Sequence, residues 1–174
     1  VVDSGHLSGG MGLIVLLAAD MAARGASCPL ILRELEFAMK KVHSSFILRS
    51  TLCLYRNQRI NKGASSFLDF WSLHPIIILK ESRMKFHSVC FGNEKRYAKT
   101  YIRKVLKKKH EISTDILFIN HAGCSYEFLQ FICDEVKKIL PWKIIMLQAL
   151  LPAMPVPVLS DFCFSATTNY RYIK

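Results

Sequence analysis

The sequence predicts an α/β protein, with a glycine-loop α/β portion followed by a second α/β unit built on a mixed sheet. Three observations predict it. Val1-Val-Asp-Ser4 precedes four glycines in eight residues (Gly5, Gly9, Gly10, Gly12), and an apolar stretch free of breakers then runs to Gly25, which is the order strand, glycine loop, helix. Short runs of apolar residues, such as 76–80 and 114–120, alternate with amphipathic stretches. Strand, helix and strand return in sequence over residues 114–148, the order that brings two strands into parallel pairing.

The glycines have two readings. They let the backbone take φ > 0 and approach a ligand closely, while the first N–H groups of the next helix point at an anion such as a carboxylate. Alternatively, they form a tight turn that docks a helix onto a sheet. Neither Gly-Lys-Ser/Thr nor Gly-x-Gly-x-x-Gly is present, so a phosphate loop is not indicated. After Gly25, Ser27 is a candidate N-cap with Pro29 in the first turn, and Ile31, Leu35, Ala38 and Val42 recur at helical spacing up to about His43. Residues 45–49 form a short buried strand and 55–63 a polar, basic connector. Phe67, Phe70 and Trp71 cluster on one or two helical turns and read as core.

His74-Pro75 breaks the chain, because a residue before proline is pushed out of the α region. Residues 76–80 and 83–89 then read as a hairpin around Glu81-Ser82. Residues 93–110 form a helix with Ala98, Ile102, Val105 and Leu106 on one side. Its other positions carry Lys95, Arg96, Lys99, Arg103, Lys104, Lys107, Lys108 and Lys109 against Glu94 alone. Such a run is either a solvated face or a docking surface for an acidic partner. Residues 114–120 have the continuous apolar centre of a strand covered on both faces, 121–125 a loop, 126–140 an amphipathic helix and 143–148 a further strand. There is no repeat of 20 to 50 residues. The expected units are 1–73, the C-terminal part of a first α/β domain; 74–148, a second; and 149–174, a divergent tail.

Length and composition bound the function. At 174 residues and 51% hydrophobic content the chain can bury a core. The formal net charge of +11 makes nucleic acid, an anionic membrane surface or an acidic protein a candidate partner. Six scattered cysteines without Cys-x-x-Cys or metal-ligand spacing read as reduced thiols in a cytoplasmic setting, and no metal is implied. The apolar runs at 11–19 and 144–159 are too short or too interrupted for a membrane span. A chain that opens inside a buried strand without a methionine reads as a fragment.

In this order the sequence resembles the DegV family of bacterial fatty-acid-binding proteins. Val1-Val-Asp-Ser4 with Ser8-Gly-Gly-Met-Gly-Leu13 is similar to the family's valine-rich strand and Ser-x-Gly-x-Gly-Leu loop and helix. Tyr55-Arg-Asn-Gln-Arg-Ile-Asn61 is similar to its Gly-Gly-Arg-Ile-Ser segment, with Asn57-Gln58 in place of the two glycines. Leu73-His-Pro-Ile-Ile77 with Lys80-Glu-Ser-Arg83 is similar to its Ile-Lys-Pro-Ile strand and Lys-Asp-Gly-Lys turn. The likeness runs to about Gln148. No glycine follows Gly123, so the family's closing glycine-rich turn has no counterpart.

The resemblance implies a partial DegV-like fold that holds one long-chain fatty acid between two α/β domains and offers its carboxyl group to a separate fatty acid kinase. It implies a carrier with no catalytic residue and no cofactor. The expected ligand-binding residues are Ser8, Gly9, Gly10, Met11 and Gly12 at the glycine stretch, Ile14, Phe46, Phe67 and Phe70 along the hydrocarbon, and Arg59 near the anionic head. Arg59 reads equally as an exposed arginine without a ligand. The other classes rest on other residues. An enzyme would centre on His121 and Cys124, three apart at a strand end, where an imidazole and a helix N-terminus could assist a thiolate; most such pairs are inert. A nucleic-acid or acidic-partner protein would use the basic helix, but only Tyr97 and Tyr101 interleave its cations for stacking, so nucleic acid is not the expected partner.

Overall fold

The fold is described from a computed structural model for all residues except 57, 81, 107–115, 122–123, 140–142, 149–161 and 168–174; at residues 53, 116, 143–148 and 162–167 only the backbone is described. In chain order the elements are α1 (Ser8–Ala23), α2 (Cys28–Lys41), β1 (Val42–Ile47), α3 (Leu52–Arg56), α4 (Lys62–Phe70), β2 (Leu73–Lys80), β3 (Arg83–Phe91), α5 (Glu94–Val105), β4 (Ile116–His121), α6 (Tyr126–Lys137), β5 (Lys143–Gln148) and β6 (Phe162–Thr167). The strands form one six-stranded sheet in the order β3-β2-β1-β6-β4-β5. Only β4 and β5 are parallel neighbours, joined by α6 as their strand, helix, strand order predicts. The other pairings are antiparallel, so the sheet is mixed.

Local chemistry explains most of the boundaries. α1 is apolar around its whole circumference and stops where Gly25 takes φ +78°, with Gly25 N–H donating to Ala22 O and Ala26 N–H to Met21 O. α2 has Pro29 in its first turn and Lys40 and Lys41 in its last, favourable for the helix dipole, and runs straight into β1. The side chains of Asn61, Asn93 and Ser125 accept N–H bonds from Ala64, Arg96 and Phe128 and so cap α4, α5 and α6. β2 and β3 are joined at Lys80↔Arg83, with Ser82 at φ +58°, and a bulge lies opposite Ile76 and Ile77.

Pleating sends alternate residues to opposite faces, and paired residues share a face. One face carries Ile47, Ile76, Cys90, Leu117 and Ile119 against Tyr97, Ala98, Tyr101 and Ile102 of α5 and Phe128, Ile132 and Val136 of α6. Ser45 on this side pairs with the Tyr101 hydroxyl at 2.8 Å, which satisfies two buried polar groups. The other face carries Val42 and Phe118 under Leu13, Ile14 and Leu17 of α1 and Leu35 and Ala38 of α2. Among the described residues no helix is long and apolar enough to cross a membrane.

Four expectations are corrected. Residues 1–7 form no strand, and Val1 and Val2 are exposed. Gly9, Gly10 and Gly12 lie inside α1 instead of in a loop before it. The sheet crosses residue 73, since β1 and β2 are hydrogen-bonded neighbours, and the segment expected as a tail supplies β6 between β1 and β4. Leu52–Arg56 is a helical turn that takes in the first two residues of the connector expected over 55–63; Thr51 N–H and Oγ1 both donate to Asp69 Oδ1, tying α3 to α4. The last positions of the two helices expected over 93–110 and 126–140 fall partly outside the described residues.

Ile47 is fully buried where β1 meets α5 and α6. Ile47→Ala is expected to destabilise the fold by roughly 2 to 5 kcal/mol, read as a lower urea midpoint at unchanged slope.

Candidate functional site

The site grows from the way α1 sits on the sheet. A Cβ on Gly10 would overlap Ser44 Oγ of β1, and one on Gly12 would lie 3.4 Å from the Phe118 ring of β4. Positions two apart on a helix point about 200° apart. Ser44 and Phe118 flank Ser165 of β6 in one cross-strand row. The axis of α1 therefore follows β6, with one flank on β1 and the other on β4. Because Leu13, Ile14 and Leu17 pack with Val42, the helix runs toward the start of β1 and its N-terminus faces the next row, Phe46, Cys163 and Asn120.

That N-terminus has unusual chemistry for this chain. Leu7 stands at the N-cap, no side chain caps the first turn, and no acidic residue lies in it. Gly10 N–H donates to Leu7 O at 3.1 Å, and the positive end of the 16-residue helix favours an anion beyond it. Ser8 adopts φ +48°, the left-handed region that costs a non-glycine residue of order 1 kcal/mol or more and recurs at functional sites. Beneath and beside the turn, Ser44 Oγ and His6 Nδ1 are buried without a hydrogen-bond partner among the described residues, while His6 Nε2 lies 2.9 Å from Met39 O. Asn120 Nδ2, on the same sheet face as Phe118, is likewise buried and unpartnered.

An apolar strip leads away from these polar atoms. Phe46 pairs with Ile77, Ile77 with Phe86, Ser44 with Leu79 and Leu79 with Met84, so all of them face the α1 side. Phe46, Ile77 and Leu79 are half-buried, and Met84 and Phe86 are exposed. Met11 and Val15 add exposed apolar surface on α1. An apolar surface of this extent calls for a cover.

The residues named from sequence are divided by the structure. Ser8, Gly9, Gly10 and Gly12 are together at the first turn of α1, with Phe46 in the row beyond it and Met11 exposed on the outer side. Ile14 is 5% exposed and belongs to the core between α1 and α2. Arg59, Phe67 and Phe70 lie on the segment from α3 to α4, which follows the end of β1 beyond the Phe46 row. Arg59 is exposed there, its backbone N–H donating to Leu54 O. Phe67 and Phe70 are exposed against Trp71, with ring centroids 6.4 Å and 5.6 Å from it, so the core reading of this cluster is corrected. A polar cleft of about 400 Å³ also opens at that end, between Arg49, Asp69, His74, Glu94 and Tyr97, and none of the expected residues lines it. Ser44, His6 and Asn120 were missed. Their one signal is polarity inside otherwise apolar or glycine-rich runs, which many satisfied core residues share.

The alternative sites lose force. On α5, Lys95 lies over the Phe131 ring, Arg96 over Phe91, Lys99 beside Glu135, and Lys104 Nζ donates to Val89 O at 2.8 Å. Much of the basic run is thus engaged within the chain. The Lys138 hydrogen bond, with help from the Lys138 and Lys99 charges against a cost of burial, holds the Glu135 carboxyl below the usual range. His121 is buried, its Nδ1 has no hydrogen-bond partner among the described residues, and burial lowers its pKa. Burial pushes the Cys90 and Cys133 thiols up, opposed in part by Lys104 and Lys137. Cys28 and Cys90 form no disulfide, and no group of three or more metal-ligating side chains occurs among the described residues.

The fold and site define a mixed α/β protein with an open apolar face that ends at an uncapped helix. The family model described as an uncharacterised protein, DegV family, matches residues 1–154, and the chain belongs to the DegV family. A DegV domain-containing protein of Caldanaerobacter subterraneus subsp. tengcongensis is 28% identical over 95 residues, covering 55% of this chain and 34% of that protein. A DegV family protein from Eubacterium eligens, loaded with heptadecanoic acid, superposes with a TM-score of 0.77 at 17% identity over 97% of this chain and 60% of that one. The fatty acid kinase (Fak) B3 protein of Streptococcus pneumoniae, loaded with linoleic acid, has a TM-score of 0.77 at 13% identity over 97% of this chain and 59% of that one. The chain thus spans about a third of that curated relative and about 60% of these solved structures.

Because burial favours neutral His121 in the folded state, the unfolded chain binds more protons just below pH 6.5. The contribution of this histidine is full above pH 6.5 and is lost as pH falls from there toward its lowered folded pKa. Urea midpoints measured between pH 5.5 and 7.5 should fall toward acid, and His121→Gln should flatten that part of the curve.

Proposed function

We propose that this chain is the greater part of a cytoplasmic fatty-acid-binding carrier. In this reading it holds one long-chain fatty acid between two α/β domains and presents the carboxyl group to a fatty acid kinase, without catalysing a reaction itself. The six-stranded sheet forms one wall of the site. The observation that carries the reading is the uncapped α1 N-terminus, with buried unpartnered Ser44 beside it, set at the head of the strip Phe46, Ile77, Leu79, Met84 and Phe86. A carboxylate matches the helix end and a hydrocarbon matches the strip.

Burying a sixteen-carbon chain would contribute on the order of 10 kcal/mol at about 0.8 kcal/mol per methylene, before association costs. The heptadecanoic and linoleic acids carried by the Eubacterium and Streptococcus proteins support the same class of ligand, and the name of the latter supports a kinase partner.

A transient anionic membrane surface is the second partner of this reading. The exposed Phe67, Phe70 and Trp71 stand on the element pair that also carries Arg56, Arg59 and Lys62. Aromatic rings beside cations suit the boundary between anionic headgroups and acyl chains, where a carrier meets its cargo.

Native mass spectrometry of the purified chain is expected to retain a fatty acid, and Gly10→Val, which forces α1 off Ser44, should abolish retention. Clean ligand-free protein that also fails to bind added hexadecanoic acid would overturn the assignment. In flotation assays with phosphatidylglycerol vesicles, the triple change of Phe67, Phe70 and Trp71 to Ala should lower the bound fraction severalfold and leave retained fatty acid in place.

A further inference from the structure

We infer that the outer edge of β3 is a docking site for an extended, acidic segment of a partner protein, which joins the six-stranded sheet as a further strand beside residues 83–86. The inference is independent of the fatty-acid reading.

β3 is the first strand in the sheet order, and among the described residues no strand lies beyond it. The backbone N–H and C=O groups on its outer side therefore point away from the ladder, an arrangement that another chain can extend. The regular stretch is short. A bulge opposite Ile76 and Ile77 shifts the register after Phe86, and Lys104 Nζ already donates to Val89 O at 2.8 Å, so the uninterrupted edge is 83–86.

Pleating sorts that edge into two faces of different chemistry. Lys85 pairs with Ile78 and Arg83 with Lys80, and Ile78 shares its row with Ser45 on the α5 side, so the exposed cations Lys80, Arg83 and Lys85 stand on one face. Met84 pairs with Leu79 and Phe86 with Ile77 on the α1 side, and both are exposed. A strand added here meets positive charge on one face and open apolar surface on the other. Its own side chains must alternate in the same period, carboxylates beside the cations and apolar groups beside Met84 and Phe86.

Charge decides the occupant. A second copy of β3 laid antiparallel along the edge would put the cations of both copies on the same face, and like charges across a strand pair are destabilising. An acidic strand reverses the sign of that interaction, and the net charge of +11 favours its approach.

The test adds three fluorescein-labelled peptides of equal length to the full chain: alternating Glu and Val, alternating Lys and Val, and the Glu and Val peptide N-methylated at every residue. The acidic peptide is expected to bind, read as raised anisotropy, and to slow amide hydrogen exchange at residues 83–86; the other two should do neither. Arg83→Glu combined with Lys85→Glu should weaken the acidic peptide by about tenfold or more and admit the lysine peptide, a reversal that misfolding does not produce. Equal binding of the acidic and N-methylated peptides overturns the inference, since attraction without strand pairing needs no edge. Slowed exchange at β5, the opposite edge of the sheet, in place of residues 83–86 also overturns it. So does a parent chain that ignores the acidic peptide, including the case in which phosphatidylglycerol vesicles bind the parent and not the charge-reversed variant, which assigns the cations to a lipid surface.

Discussion

The close seating of α1 on the sheet is the constraint from which the rest follows. Glycine at positions 10 and 12 lets the helix descend onto Ser44 on one flank and Phe118 on the other, where a Cβ at position 10 would overlap the Ser44 hydroxyl. That depth sets the helix axis along β6 and the buried stripe of Leu13, Ile14 and Leu17 over Val42. It also aims an uncapped helix end along the sheet at a row containing Phe46 and Asn120. The two readings of the glycine stretch, a docking turn and an anion site, are thus consequences of one arrangement: the glycines dock the helix, and docking aims its N–H groups.

Much of the architecture was legible because its signals are local. Capping residues, helical spacing in 31–42 and the hairpin around Ser82 each specify their own neighbourhood. The parallel pair β4–β5 followed from its strand, helix, strand order. What local patterns could not supply was the sheet order. β6 comes from a proline-interrupted stretch that shares no motif with the family, yet backbone pairing with two neighbours is enough to make it a strand. Val1 and Val2 show the converse, since β-branched residues at the head of the sequence lie outside the described sheet.

The candidate site was legible in its backbone and not in its side chains. Ser8, Gly9, Gly10 and Gly12 mark themselves by composition and do lie together. Aromaticity alone could not place Phe67 and Phe70, because an apolar side chain looks the same in sequence whether it fills a core, lines a cavity or waits on a surface for a partner. Asn120, His6 and Ser44 are single polar residues whose importance lies in what they fail to touch, and only coordinates show an unmet hydrogen bond.

The position of β6 bears on how the chain assembles. The sheet consists of an early island, β3-β2-β1, and a later one, β4-β5, and the strand that bridges them is the last described element. On a ribosome the islands would wait, each with an unpaired edge, until residues 162–167 emerged. Such late, long-range closure slows folding and leaves strand edges open to wrong partners. Cohesion between the two islands thus waits on one late, sequence-distant strand.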